Sequence, residues 1–94
     1  MIKVGKFMNI IYSKQAIKFI SSQDKSTKQR IKKSIEGLIG NNPLGDIKPL
    51  KGYPIKTYRL RVGKLRIIFR YDVDTNEQRI LFISDINSRG DVYK

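Results

Sequence analysis

Apolar residues alternate with cations through Tyr58-Arg59-Leu60-Arg61-Val62, and a second alternating run extends from Leu65 to Phe69. A period of two is that of a half-buried strand. Gly63 between the runs predicts a hairpin that turns at Val62-Gly63. Tyr58, Leu60 and Val62 then share one face with Leu65, Ile67 and Phe69. Arg59 and Arg61 share the other with Lys64, Arg66, Ile68 and Arg70. The expected register sets Arg61 opposite Lys64 and Arg59 opposite Arg66, because a slip of one residue would place arginines against Leu65 and Ile67. Like charges placed directly opposite each other are destabilising. A strand pair that carries four cations on one face is therefore expected to meet an anion there.

The rest of the chain follows the same reading. Phe7 to Tyr12 is a short apolar run expected to form a first strand, with Met8 an alternative start. Ser13 is the expected N-cap of a short helix carrying Ala16, Ile17 and Ile20 on one side. Ser21-Ser22-Gln23-Asp24 breaks it. Ser26 and Gln29 have the spacing of a capping box for a longer helix. Its buried stripe is Ile31, Ile35, Leu38 and Ile39, its outward face carries Lys28, Arg30, Lys32 and Lys33, and it ends at Gly40-Asn41-Asn42-Pro43. Leu44 to Lys56, punctuated by Gly45, Pro49, Gly52 and Pro54, reads as a loop. After the hairpin comes a turn at Asp72-Val73-Asp74-Thr75-Asn76. A last strand from Arg79 to Ile86 follows, with Ile80, Phe82 and Ile86 alternating against Leu81 and Ile83; Asn87 to Lys94 is a polar tail. The order is strand, helix, helix, then a three-strand antiparallel meander. That is an α+β fold with one sheet and helices on one face of it, in a single domain spanning 1–94.

Charge and composition narrow the chemistry. The 94 residues hold 20 Lys+Arg against 8 Asp+Glu, a formal net charge of +12, which favours polyanionic partners. With neither cysteine nor histidine, thiolate chemistry and Cys-containing zinc sites are excluded, and the commonest general base is missing. Catalysis must then use Tyr, Lys, Arg or carboxylates. No apolar run has the length of a membrane span and no signal-peptide pattern opens the chain, so the expected location is the cytoplasm and no membrane partner is expected. No metal or other cofactor is called for by any motif, and no Walker loop or dinucleotide fingerprint is present.

Four stretches are candidates for function. Arg59, Arg61 and Arg66 suit bidentate binding of phosphate and stabilisation of charge that builds on it, against the plainer reading of a solvated strand face. The terminal Asn87-Ser88-Arg89-Gly90-Asp91-Val92-Tyr93 follows the last strand and includes a tyrosine whose phenolate nearby arginines would stabilise; alternatively Val92 and Tyr93 pack the chain end onto the sheet. In Lys48-Pro49-Leu50-Lys51-Gly52-Tyr53, Lys51 would add a backbone contact and Tyr53 a stacking surface for a base, unless the segment is a simple connector. The basic row of the second helix is a solvated face or a steering surface for a large polyanion. The carboxylates are scattered, and Asp72 and Asp74 suit a turn.

With these residues in view, the chain resembles the RelE/ParE superfamily of toxins from bacterial type II toxin–antitoxin modules. The resemblance rests on an ordered set: Tyr12-Ser13-Lys14-Gln15-Ala16, Lys48-Pro49-Leu50-Lys51-Gly52, the hairpin from Tyr58 to Phe69, and Arg89-Gly90-Asp91-Val92-Tyr93. Its RelE branch implies a metal-independent, ribosome-dependent endoribonuclease, an mRNA interferase that inhibits translation. In that chemistry the ribose 2′-hydroxyl attacks the adjacent phosphate, leaving a cyclic phosphate and a 5′-hydroxyl. The resemblance implies Tyr93 as general base, Arg61 and Arg66 stabilising the phosphorane, and Arg89 assisting the leaving oxygen. Arg59, Lys51 and Tyr53 would bind RNA. Asn87 stands six residues before Tyr93, where some relatives carry arginine, so the general acid stays unassigned. Implied partners are a cognate antitoxin, mRNA and the ribosome, with operator DNA engaged only as the toxin–antitoxin complex. The ParE branch, whose members inhibit DNA gyrase without nuclease activity, and a non-catalytic nucleic-acid-binding module are the competing readings.

Overall fold

The computed structural model describes residues 9–40 and 42–88. In chain order the elements are β1 (Asn9–Tyr12), α1 (Lys14–Ser21), α2 (Lys25–Glu36), β2 (Asp46–Leu50), β3 (Thr57–Val62), β4 (Leu65–Val73) and β5 (Arg79–Ser88). The five strands form one sheet in the order β1-β5-β4-β3-β2, with β1 parallel to β5 and the other pairs antiparallel. Ala16, Ile31, Ile35 and Leu38 meet Leu60, Ile67, Phe69, Leu81, Ile83 and Ile86 in the core, all essentially buried. The fold is thus α+β, as the patterning indicates, but the meander has four strands rather than three.

The additional strand is β2, inside the stretch that reads as a loop. Pro49 hides it in the sequence because proline removes a ladder donor. Here β2 is an edge strand, where such a loss is tolerated, and it pairs with β3 from Asp46↔Arg61 to Leu50↔Thr57. Gly45 fixes how the chain enters it. Its φ of +118° suits glycine, and a Cβ there would come within 2.6 Å of Leu60 Cδ1.

The hairpin register also differs from expectation. The turn is Gly63-Lys64, so Val62 pairs with Leu65 and Arg61 with Arg66, while Arg59 faces Ile68. Gly63 takes the left-handed φ of +58° that a two-residue hairpin turn demands at its first position. The displacement preserves which residues share a face. It also brings Val62 and Leu65 together on the apolar side and leaves one directly opposed arginine pair instead of two opposed cation pairs.

The helices differ from expectation at three points. Ser13 caps α1, accepting from the Ala16 amide at 3.1 Å. Ile17, however, is 52% exposed, while Phe19 and Ile20 pack on the core beside Ala16; the i, i+3, i+4 stripe excludes residue 17. The cap of α2 is Asp24, whose carboxylate accepts from the Thr27 amide at 2.8 Å, instead of the Ser26/Gln29 box. An anionic cap favours the positive end of the helix. Hydrogen bonding from the Thr27 side chain, and secondarily from its amide, holds the Asp24 carboxyl below its ordinary pKa. The helix ends at Glu36, and Leu38 and Ile39 continue the buried surface from a following turn.

In β5 a bulge breaks the alternation. Ile68 pairs with Asp85 and Phe69 with Ile83, leaving Ser84 as the extra residue. Ile86 consequently joins Leu81 and Ile83 in the core rather than Ile80 and Phe82. The start of α1 is fastened to this bulge. Ser13 Oγ donates to the Ser84 carbonyl (2.7 Å), and Gln15 both donates to the Ile86 carbonyl (2.8 Å) and accepts from its amide (2.9 Å). The strand runs on to Ser88, so Asn87 belongs to the sheet rather than to a tail.

Candidate nucleic-acid interface

The sheet face opposite the helices is crossed by two rungs of side chains. The first is Asp46, Arg61, Arg66 and Asn87; the second is Lys48, Arg59, Ile68 and Asp85. Neighbouring strands lie about 4.8 Å apart and alternate residues about 6.7 Å apart, so four cations occupy a patch of roughly 15 by 7 Å. The hairpin parity supplies the arginines, the edge strand supplies Asp46 and Lys48, and the bulge turns Asp85 and Asn87 toward the same face.

These cations differ in setting. Arg61 is exposed, with 41% of its side chain accessible, whereas only 7% of the Arg59 side chain is. Asp46 Oδ2 lies 3.8 Å from Nη1 of each. That is ion-pair distance but beyond a hydrogen bond. Arg59 Nη1, Arg66 Nε and Arg70 Nε are buried donors without a hydrogen-bond partner among the described residues. Buried donors are nearly always paired in native structures. Arg59 and Arg66 belong to the four-cation patch, and Arg70 stands four residues from Arg66, roughly 13 Å along β4. Arg70 is placed by Phe82, its cross-strand neighbour, with the guanidinium carbon 4.4 Å from the ring centroid, a cation–π contact.

The structure gathers Arg59, Arg61 and Arg66, and it does not gather the remaining described candidates with them. Lys51 and Tyr53 are exposed beyond the far end of β2. There Leu50 pairs with Thr57, roughly 13 Å along β3 from Arg61. Arg89 and Tyr93 lie outside the described residues. Asp46, Lys48, Asp85 and Asn87 enter the patch without having been singled out for it. The signal available for Asp46 and Lys48 was their alternation, i and i+2, in a segment whose proline argued against a strand. On the opposite side of the molecule Lys28, Arg30, Lys32 and Lys33 are exposed along α2, and Arg30 lies over the hairpin turn, within 2.9 Å of where a Gly63 Cβ would stand. The Asp74 carboxylate is engaged by its own turn, accepting from the Asn76 and Gln78 amides at 2.8 Å each.

Between the helices and the end of β1, an apolar groove of about 340 Å³ is lined by Tyr12, Ile17, Ile20 and Ile31 and rimmed by Lys28 and Lys32. Burial, and secondarily the Glu36 charge, raises the Tyr12 phenol above its ordinary pKa.

Residues 6–93 match the family described as ParE toxin of type II toxin-antitoxin system, parDE. No curated protein matches the chain.

Proposed function

The chain belongs to this family of type II toxins within the RelE/ParE superfamily, and therefore has a cognate antitoxin as partner; on that premise we propose that it is a ribosome-dependent endoribonuclease that cuts mRNA in the cytoplasm. The observation that carries the reading is the directly opposed Arg61–Arg66 pair, with Arg59 buried beside it and donors of Arg59 and Arg66 unpaired among the described residues. An isolated β-sheet surface gains nothing from opposed arginines. A phosphodiester whose phosphorus takes on extra negative charge gains from both.

In the proposed reaction the ribose 2′-oxygen bonds to the adjacent phosphorus as its proton passes to Tyr93. The bond from phosphorus to the 5′-oxygen of the next nucleotide then breaks as that oxygen takes a proton from water. The products are a 2′,3′-cyclic phosphate and a 5′-hydroxyl. Arg61 and Arg66 neutralise the non-bridging oxygens, Arg59 holds the backbone, and Arg89 assists the departing oxygen. Arg89 follows directly on Ser88, and Asn87 pairs across the sheet with Arg66. The bases are not contacted by this set, so the ribosome presents the message and the toxin supplies the cleavage.

The second reading is gyrase inhibition, favoured by the description of the matching family. Mapping mRNA ends after adding the protein to translating ribosomes separates the two. Codon-phased cuts support the nuclease; intact mRNA together with inhibited supercoiling supports the gyrase reading.

A further inference from the structure

We propose that Asp46 is a resident counter-anion, a positioning residue that occupies the arginines of the open face until a phosphate backbone displaces it. The proposal rests on the reading of this face as the phosphodiester site. Among the described residues Asp46 is the one carboxylate within ion-pair distance of any cation, and it serves both Arg59 and Arg61. At 3.8 Å from each it offsets charge without satisfying a donor, and buried Arg59 Nη1 retains no hydrogen-bond partner among the described residues.

The backbone that carries Asp46 is held by its pairing with Arg61 and by the tight Gly45 approach to Leu60. Its side chain, 49% accessible on an edge strand, can swing to solvent without opening the core. A phosphate backbone offers oxygens to both guanidiniums at true hydrogen-bond distance. Weak or poorly oriented anions must instead compete with the carboxylate, so Asp46 raises the threshold for occupying the face.

The test uses the full chain and a fluorescently labelled oligodeoxythymidylate, which has the phosphate backbone but no 2′-hydroxyl to be cut. Binding is followed by anisotropy across a salt series, with thermal melts of every variant. Asp46→Asn is expected to bind about two- to fivefold tighter at low salt, with the gain shrinking as salt screens the carboxylate. Asp46→Ser should do the same, and Asp46→Glu should resemble wild type. Glu36→Gln, an equal charge change on α2, should leave binding unchanged. In an Arg61→Ala background the gain from Asp46→Asn should disappear. Unchanged or weaker binding by both neutral variants, or a gain that survives Arg61→Ala, would overturn the proposal. Mapping of mRNA ends is read separately: a binding gain without any codon-phased cutting by wild type would sink the nuclease reading alone, and cutting without a gain would sink only the role of Asp46.

Discussion

Replacing Arg66 with methionine should make the protein more stable and far less active. Arg66 stands directly opposite Arg61. Two guanidiniums about 7 Å apart repel by about 0.6 kcal/mol in water and about 2.4 kcal/mol at an effective dielectric constant of 20. The patch is at the surface, and Asp46 offsets part of the Arg61 charge, so the lower end applies. Methionine keeps the apolar stem that covers the sheet. It also removes the buried Nε donor that has no partner among the described residues. Together these changes are expected to stabilise Arg66→Met by about 1 kcal/mol, about 4–8 °C in Tm for a domain of this size. Loss of one donor to the developing phosphorane charge should slow cleavage about 100- to 1000-fold. The assay pairs thermal unfolding with cleavage of ribosome-bound mRNA. A variant that melts below wild type would show that Arg66 is held by favourable contacts, refuting the repulsion argument. A variant that cleaves at the wild-type rate would remove Arg66 from the site.

Three further outcomes are expected. Tyr93→Phe should fold with an unchanged melting temperature and lose cleavage, measured by end mapping; retained cleavage would take the phenol out of the mechanism. Ser13→Ala should cost about 1–2 kcal/mol in denaturant unfolding, because one hydroxyl both caps α1 and donates to the Ser84 bulge. Tyr71 donates to the Leu38 carbonyl at 2.7 Å, and burial raises its pKa above 10, with Arg79 opposing and Tyr58 adding to the effect. A raised acid pKa stabilises the fold fully below the unfolded value, so this contribution should fade as pH climbs from 10 through the folded value, and Tyr71→Phe should flatten the alkaline limb of a stability–pH curve.

The sheet's central strands and the face that carries Arg59, Arg61 and Arg66 were legible because strand parity depends only on a period of two. The exact pairing was not, since moving the turn from Val62-Gly63 to Gly63-Lys64 changes every partner while keeping every face. What settles it is the conformation of Gly63 and the match of Val62 to Leu65, both tertiary outcomes. Strand β2 was concealed by Pro49, whose meaning depends on whether a strand is central or at the edge. The bulge at Ser84 left no local mark either; it is held by Ser13 and Gln15, 71 residues away along the chain from the groups they bind. Hence Ile86 could not be assigned to the core, nor Asp85 and Asn87 to the open face, from alternation alone. Lys51 and Tyr53 lie only a few residues before the hairpin in sequence, yet antiparallel pairing carries them to the other end of β3.

If the opposed arginines serve phosphodiester cleavage, the ends of the cut message carry its signature. Purified protein is added to ribosomes stalled on a defined mRNA, and the fragments are offered to a polynucleotide kinase without prior phosphatase treatment. The expected fragments have codon phase, 5′-hydroxyls that accept label at once and 3′ cyclic phosphates, with both signals lost in Arg61→Ala. Intact mRNA under conditions where the same protein blocks supercoiling by gyrase would contradict it.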